Sequence, residues 1–271
     1  MNPLKVLFAN QKGGVGKTTT CRELSICIAS KGKRILVVDL DPQANLSKSL
    51  IEPLSKGLYE ALLGNEFELK EVTLRQDSVQ ESNLYLLSGN KKLAGLEKSF
   101  IGDVDAYLKL KDLFATDCFQ QFDYIFIDSP PTLSLLTLNG LVCADYLIIP
   151  MNPSLYSLQG TNDLLETISK VKKSFNPDLS IAGVIINAFD SVPTITREIK
   201  AEINEAFGSK VFSTSISKSI KIEKAIESKK GIGEFNSKLA EEINIIADEL
   251  IKRLCILQAS SGGKYGQEIK R

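Results

Sequence analysis

The chain has 271 residues, in which 33 lysines and arginines balance 33 aspartates and glutamates, and it contains no histidine. A zero net charge points to no partner by itself, and the missing imidazoles exclude Ser-His triads, histidine bases and most zinc sites. With 43% hydrophobic and 24% charged residues the chain is of globular composition and long enough to bury one large core. Chemistry must therefore come from carboxylates, lysines, backbone amides and a bound metal. The five cysteines (Cys21, Cys27, Cys118, Cys143, Cys255) form no Cys-x-x-Cys pair and are expected as free thiols in a reducing cytosol. The N-terminus moves straight into a core strand without an apolar signal segment, and no run approaches membrane-spanning length, so a cytoplasmic protein is expected.

The first predicted elements are a strand, Leu4 to Ala9, and an apolar-periodic helix, roughly Thr18 to Ser30, joined by Asn-Gln-Lys-Gly-Gly-Val-Gly-Lys-Thr-Thr-Thr. Gly13, Gly14 and Gly16 free the backbone to take positive φ and to approach a ligand without a Cβ in the way. The amides of residues 13–19, Val15 and Thr19 included, then converge with the helix N-terminus on an anion, and Lys17 adds a mobile positive charge. Thr18 supplies the hydroxyl that a Mg²⁺ ion bridging two phosphates needs. Strand, glycine-rich loop and helix together read as a phosphate-binding loop rather than a bare tight turn.

Lys12, two positions before Gly14, is the unusual residue of this loop. With it, Lys-Gly-Gly-Val-Gly-Lys-Thr-Thr resembles the deviant Walker A class, the ParA/MinD family of ATPases. The resemblance implies a nucleotide-sandwich homodimer in which Lys12 reaches the partner's phosphates, as an arginine finger does elsewhere. The alternative for Lys12, a solvated charge beside a phosphate site, is the weaker reading.

Arg34 to Leu40 is an apolar run ending in acids, as in parallel strands covered on both faces. Asp39 and Asp41 fall at its carboxyl end, the edge where ligands sit in such sheets. Asp-x-Asp-Pro-Gln is similar to the family's second motif, which implies that Asp41 orients attacking water while Asp39 supports the magnesium shell. Residues 51–122 read as a short helix at Gly57 to Leu63, a strand at Asn83 to Leu87 and an amphipathic helix at Asp103 to Phe114, and carry no site. Tyr124 to Asp128 is the next buried strand, and an acid at its end is the second half of a phosphate-loop site, holding Mg²⁺ through a water. Asp-x-Pro-Pro, from Asp128, resembles the ParA form of that segment.

Asp145 to Met151 reads as a core strand, Leu155 to Phe175 as a long helix and Ser180 to Asn187 as a sixth strand. Asn187 at that strand's end either caps the next helix or reads an adenine edge, and the resemblance implies base contact. Between Gly208 and Lys230, lysines 210, 218, 221, 224, 229 and 230 outnumber Glu223 and Glu227. Lys218, Lys221 and Lys224 recur every three residues, which aligns them roughly on one helical face and suits phosphate backbones. The segment resembles the ParA region that binds DNA without sequence preference, although Ser217 stands where the family often has proline. Ser237 to Leu257 has apolar residues at helical spacing, and Ala259 to Arg271 is expected to be disordered.

The sequence thus predicts a single α/β domain over residues 1–258, a mostly parallel twisted sheet with helices on both faces, of the P-loop NTPase type. The resemblance implies a short, Soj-like partitioning ATPase using ATP and Mg²⁺, in which a ParB-type partner stimulates slow hydrolysis by a DNA-bound, nucleoid-associated homodimer. The rival readings are a MinD-like membrane switch, through Glu249 to Leu257, and an ATP-dependent clamp with negligible hydrolysis. An iron-sulfur reductase is disfavoured because Asp128 is followed by no cysteine until Cys143.

Overall fold

The computed structural model describes residues 2–52, 54–73, 83–154, 159–188 and 193–268. Short runs rich in valine, isoleucine, leucine and phenylalanine form its longer strands, β1 (Leu4–Phe8), β2 (Ile35–Asp39), β4 (Leu84–Leu87), β5 (Tyr124–Asp128), β6 (Tyr146–Met151) and β7 (Ser180–Ala188), and two-residue strands β3 (Lys70–Glu71) and β8 (Ile216–Ser217) lie at the edges. They join in one sheet in the order β3-β4-β2-β5-β1-β6-β7-β8, in which only the β3–β4 pair is antiparallel.

The helices are α1 (Lys17–Ser30), α2 (Asn45–Leu50), α3 (Leu58–Leu62), α4 (Leu96–Ser99), α5 (Lys109–Phe114), α6 (Leu135–Cys143), α7 (Gln159–Ser174), α8 (Pro193–Phe207), α9 (Lys221–Glu227) and α10 (Ser237–Glu268). Because successive strand residues point to opposite faces, Leu7, Val38, Ile125 and Ile127 pack with α3, α5, α6 and α7. Val6, Phe8, Val37 and Phe126 pack with α1 and α10 on the other face. Apolar side chains on both faces are what a covered parallel sheet requires.

The expected α/β architecture is observed, with local differences. The helix expected from Asp103 begins only at Lys109: Gly102 has φ +83°, and the Asp103 carboxylate accepts the Asp105 amide, holding a turn that competes with helix. The helix start is fixed instead by Asn139 of α6, whose Oδ1 accepts the Leu110 amide. The start of the helix expected at Leu155, and residues 189–192, lie outside the described residues. Helices α2, α4 and α6 and strands β3 and β8 had no sequence expectation, and α8 was expected only as a helix following Asn187. Helix α10 extends past Leu257 to Glu268, where disorder was expected; residues 269–271 lie outside the description.

Leu250 and Leu254 of α10 are fully buried against the sheet. Arg253 turns inward as well, donating to the carbonyls of Ala182, Lys210 and Val211 and lying over the Phe212 ring. One face of the segment that a membrane-seeking reading would use is therefore packed on the sheet, while Lys252, Cys255 and Ile256 are exposed, and no described helix is long and apolar enough to cross a membrane. Replacing Leu250 by alanine is expected to destabilise the fold by about 3 kcal/mol through lost burial and a residual cavity, measurable by denaturant unfolding.

Candidate nucleotide-binding site

The β1–α1 loop stands at the carboxyl edge of the sheet. Gly14 (φ +71°) and Gly16 (φ +83°) take left-handed backbone conformations that only glycine adopts without strain. A Cβ on Gly16 would also stand 2.6 Å from Asn187 Nδ2. Gly16 caps α1 without any side-chain hydrogen bond, and the first turn carries no acid. The open amides and the positive end of α1 therefore remain available to an anion. Lys17 is 7% exposed and donates to the Lys12 carbonyl at 3.3 Å. Burial pulls its pKa down, opposed by the carboxylates of Asp128 and Asp41.

Facing this positive end, Asp39 and Asp128 are register partners on adjacent strands, and both are fully buried. Thr18 Oγ1 donates to Asp128 Oδ2 at 2.7 Å, while Asp128 Oδ1 is buried with no hydrogen-bond partner. Burial, and then the neighbouring Asp39, push the Asp128 carboxyl well above the usual range. Asp39 accepts the Ser47 amide (2.8 Å), the Ser47 hydroxyl (2.7 Å) and the Asp41 amide (3.1 Å). Burial pushes its pKa up to about 6 despite those bonds. Asp41 is half-exposed, with Oδ1 accepting the Gln43 amide at 2.8 Å.

An orphaned buried carboxylate oxygen beside a threonine hydroxyl fits a hydrated divalent cation. Among the described residues no group of three acidic, cysteine or histidine side chains forms a self-sufficient metal cage. That donor set suits Mg²⁺, which commonly combines one or two carboxylates with waters and substrate phosphates.

The loop is held from the far side of the sheet. Asn10 donates to the Pro150 carbonyl at 2.8 Å and accepts the Lys12 amide at 3.0 Å, and Asn152 donates to the Gly14 carbonyl at 3.1 Å. Lys12 Nζ donates to Ser154 Oγ at 2.5 Å, so within one protomer this lysine rests on its own chain. Asn187 is 2% exposed, and its amide nitrogen donates to the Val15 carbonyl at 2.5 Å and to Thr20 Oγ1 at 3.4 Å. Asn187 thus stands at the end of β7, where its amide nitrogen braces Val15 of the loop. Asn10 lies inside the loop motif, whereas Ser47 stands four residues beyond Asp-x-Asp-Pro-Gln. Asn152 and Ser154 carry no sequence signal, because only strand order brings them here.

The basic segment is also arranged differently from the expectation. Ile216 and Ser217 pair with β7 as β8, so Lys218 precedes α9, and only Lys221 and Lys224 stand on the helix. All three are exposed, and the Lys224 ammonium lies 5.7 Å from the Phe235 ring centroid. Lys229 and Lys230 pair with Glu52 and Glu234.

The acids have a consequence for stability. A folded-state pKa near 6 against an ordinary value of 3.8 means that the folded chain binds the Asp39 proton more tightly than the unfolded chain. Stability of the nucleotide-free protein should then fall as pH rises from about 4 to about 6, by about 3 kcal/mol at most from this group. Urea unfolding across that window should show this slope, and Asp39→Asn should flatten it.

A family model described as an AAA domain matches residues 4–181. The chain is 36% identical over 222 residues to the chromosome-partitioning ATPase Soj of Treponema pallidum, covering 81% of this chain and 85% of that one. It is 33% identical over 253 residues to the chromosome partitioning protein ParA of Myxococcus xanthus, covering 92% and 88%. In fold it is similar to the crystal structure of cobyrinic acid a,c-diamide synthase from Mycobacterium smegmatis with bound ATP analogue and magnesium, with TM-score 0.78, 31% identity and coverage of 93% and 95%. An uncapped glycine-rich loop facing two strand-end acids, on a chain with these relatives, makes this protein a member of the ParA/Soj family of partitioning ATPases.

Proposed function

We propose that the protein is an ATP-driven partitioning switch. Mg-ATP closes a homodimer, the dimer binds DNA without sequence preference, and a ParB-type partner stimulates slow hydrolysis during chromosome or plasmid segregation. The observation that carries the nucleotide half is the Thr18–Asp128 hydrogen bond with the unpartnered Asp128 Oδ1, set beneath the open N-terminus of α1. Relatives named as partitioning ATPases support the biological role.

Each residue then has a task set by its place. The amides of Gly13, Gly14, Val15, Gly16, Lys17, Thr18 and Thr19 cradle phosphate, and Lys17 neutralises its charge. Thr18 and Asp128 hold the cation, with Asp39 behind them. Bound Mg²⁺ would withdraw charge from the phosphate oxygens during transfer. Asp41, at the exposed lip, orients the attacking water. Lys12 leaves Ser154 to reach the partner's phosphates, so the site is complete only in the dimer. Asn187 acts as a brace of the loop. Lys221 and Lys224, with Lys218 beside them, meet the DNA backbone.

Lys17→Ala should abolish nucleotide binding, DNA binding and turnover. Asp41→Ala should keep both binding activities and lower kcat at least about 100-fold. Normal hydrolysis by Asp41→Ala would remove that residue from the water-orienting role, and a wild-type chain with no turnover even with partner and DNA would favour a clamp.

Binding to random-sequence duplex, measured with ATP, ADP or no nucleotide over a salt series, tests the DNA half. Retention is expected only with ATP. Removing Lys221 and Lys224 deletes about four phosphate contacts per dimer and should flatten the log–log salt slope by about 3.6. No retention in any state would end the DNA reading and turn attention to vesicle binding.

A further inference from the structure

Arg22 and Glu23, on α1 just after the phosphate loop, are 0% and 3% exposed and form an ion pair that the nucleotide chemistry does not use. Arg22 is four residues after Thr18, so it lies on the same side of α1 as the cation-binding hydroxyl, one turn away. Its guanidinium donates to the Ser49 carbonyl at 3.2 Å, to Ala225 at 3.4 Å and to Lys230 at 2.9 Å. Glu23 Oε2 accepts the Ile232 amide at 3.0 Å. Ser49 lies in the last turn of α2, the helix that comes after Asp41 in the chain. Ala225 and Lys230 belong to α9 and its exit. One buried pair therefore ties the helix behind the phosphates, the helix behind the water-orienting acid and the basic helix together.

Helix α9 has few other anchors. Its one fully buried side chain is Ala225, Ile222 is only partly buried against the core, and Ile220 at its entry is 82% exposed. At its start the Ser219 hydroxyl accepts the Lys221 amide and the Asn236 side-chain amide, both at 3.2 Å. At its exit, Lys229 takes a left-handed conformation (φ +52°), so the turn that delivers the Lys230 carbonyl to Arg22 is held against backbone preference. Lys224 over Phe235 and Lys229 with Glu52 are exposed contacts of small weight. A guanidinium suits the remaining task, because its fork lets Nη2 face all three carbonyls while Nη1 pairs with Glu23, and a cation is favoured at helix C-terminal ends.

We propose that the Arg22–Glu23 pair positions α9 relative to α1 and α2, so that the placement of Lys221 and Lys224 depends on the state of the nucleotide loop. The pair is a positioning device, not a catalytic one. The proposal rests on the nucleotide-switch reading, and its DNA consequence rests on the DNA half of that reading.

Hydrogen exchange of the full chain, with and without Mg²⁺ and a non-hydrolysable ATP analogue, tests it without DNA. In wild type, nucleotide should slow exchange of the amides in 221–232 by about tenfold, an ordinary size for coupling between sites. In Arg22→Lys, which keeps the charge and loses the fork, that response should vanish while α1 amides remain protected by nucleotide. Arg22→Met with Glu23→Met, which removes both charges together, serves as the second variant, with thermal melting to verify folding. Unchanged nucleotide-dependent protection of 221–232 in a folded variant, or no such protection in wild type, would overturn the proposal. Duplex binding then separates the two readings: a wild-type response at 221–232 with no DNA retention defeats the DNA half alone. Where wild type binds DNA only with ATP, Arg22→Lys should bind it about equally weakly with ATP and ADP.

Discussion

Two carboxylates buried side by side at the end of a parallel sheet govern the rest of this molecule. Asp39 and Asp128 are carried into a low-dielectric position by strand register, where like charges raise each other's cost of ionisation. The fold answers with Lys17, the Thr18 hydroxyl and the positive end of an uncapped helix, yet it leaves one Asp128 oxygen without a partner. Such an arrangement is electrostatically incomplete by itself. A phosphate on the helix end and a divalent cation on the acid would complete it together, which is why nucleotide with its metal, rather than either one alone, is the natural ligand of this geometry.

The remaining polar contacts hold that incomplete site in shape. Ser47 fixes Asp39 from α2 and in turn accepts the Gly89 amide from the end of β4. Asn10, Asn152 and Asn187 clamp the loop from β1, the segment after β6 and β7. Lys12 is the exception, because its ammonium is held by Ser154 rather than by anything at the phosphate position. A lysine resting on a neutral hydroxyl is readily released, since no ion pair among the described residues holds it. That suits the role in trans proposed for it. The contrast with Arg22 is instructive: that cation is wholly buried and shared among carbonyls of α2, α9 and the turn that leaves α9, so moving it means moving the segments.

The phosphate loop, both acidic strand ends and the covered parallel sheet were legible because each is a local pattern. Glycines followed by Lys-Thr after an apolar strand, and apolar runs ending in aspartate, have few other physical explanations. Elements with weaker local signals were missed or misjudged. Helix α6 is so uniformly apolar that its periodicity is hidden, and α2 is too short to show one. The expected helix from Asp103 failed because a side-chain-to-backbone bond at its start outweighs helical spacing over one turn. The basic stripe was spread over a strand end and a helix because pairing of Ile216 and Ser217 with β7 interrupts the three-residue period.

By itself the sequence determined the chemistry of this protein: the anion-binding loop, the acids, the absence of imidazole and the family. Tertiary structure alone decided which of those groups face one another. Asn187 braces the loop because the end of β7 comes within reach of Val15, and Ser154 received Lys12 because β6 lies next to β1. The Arg22–Glu23 pair, unremarkable in a helical stretch, acquired its place because α2 and α9 end against the same face of α1. Spacing along a chain specifies local conformation, but the partners of a buried charge are set by which distant backbone carbonyls the packed sheet and helices bring within reach.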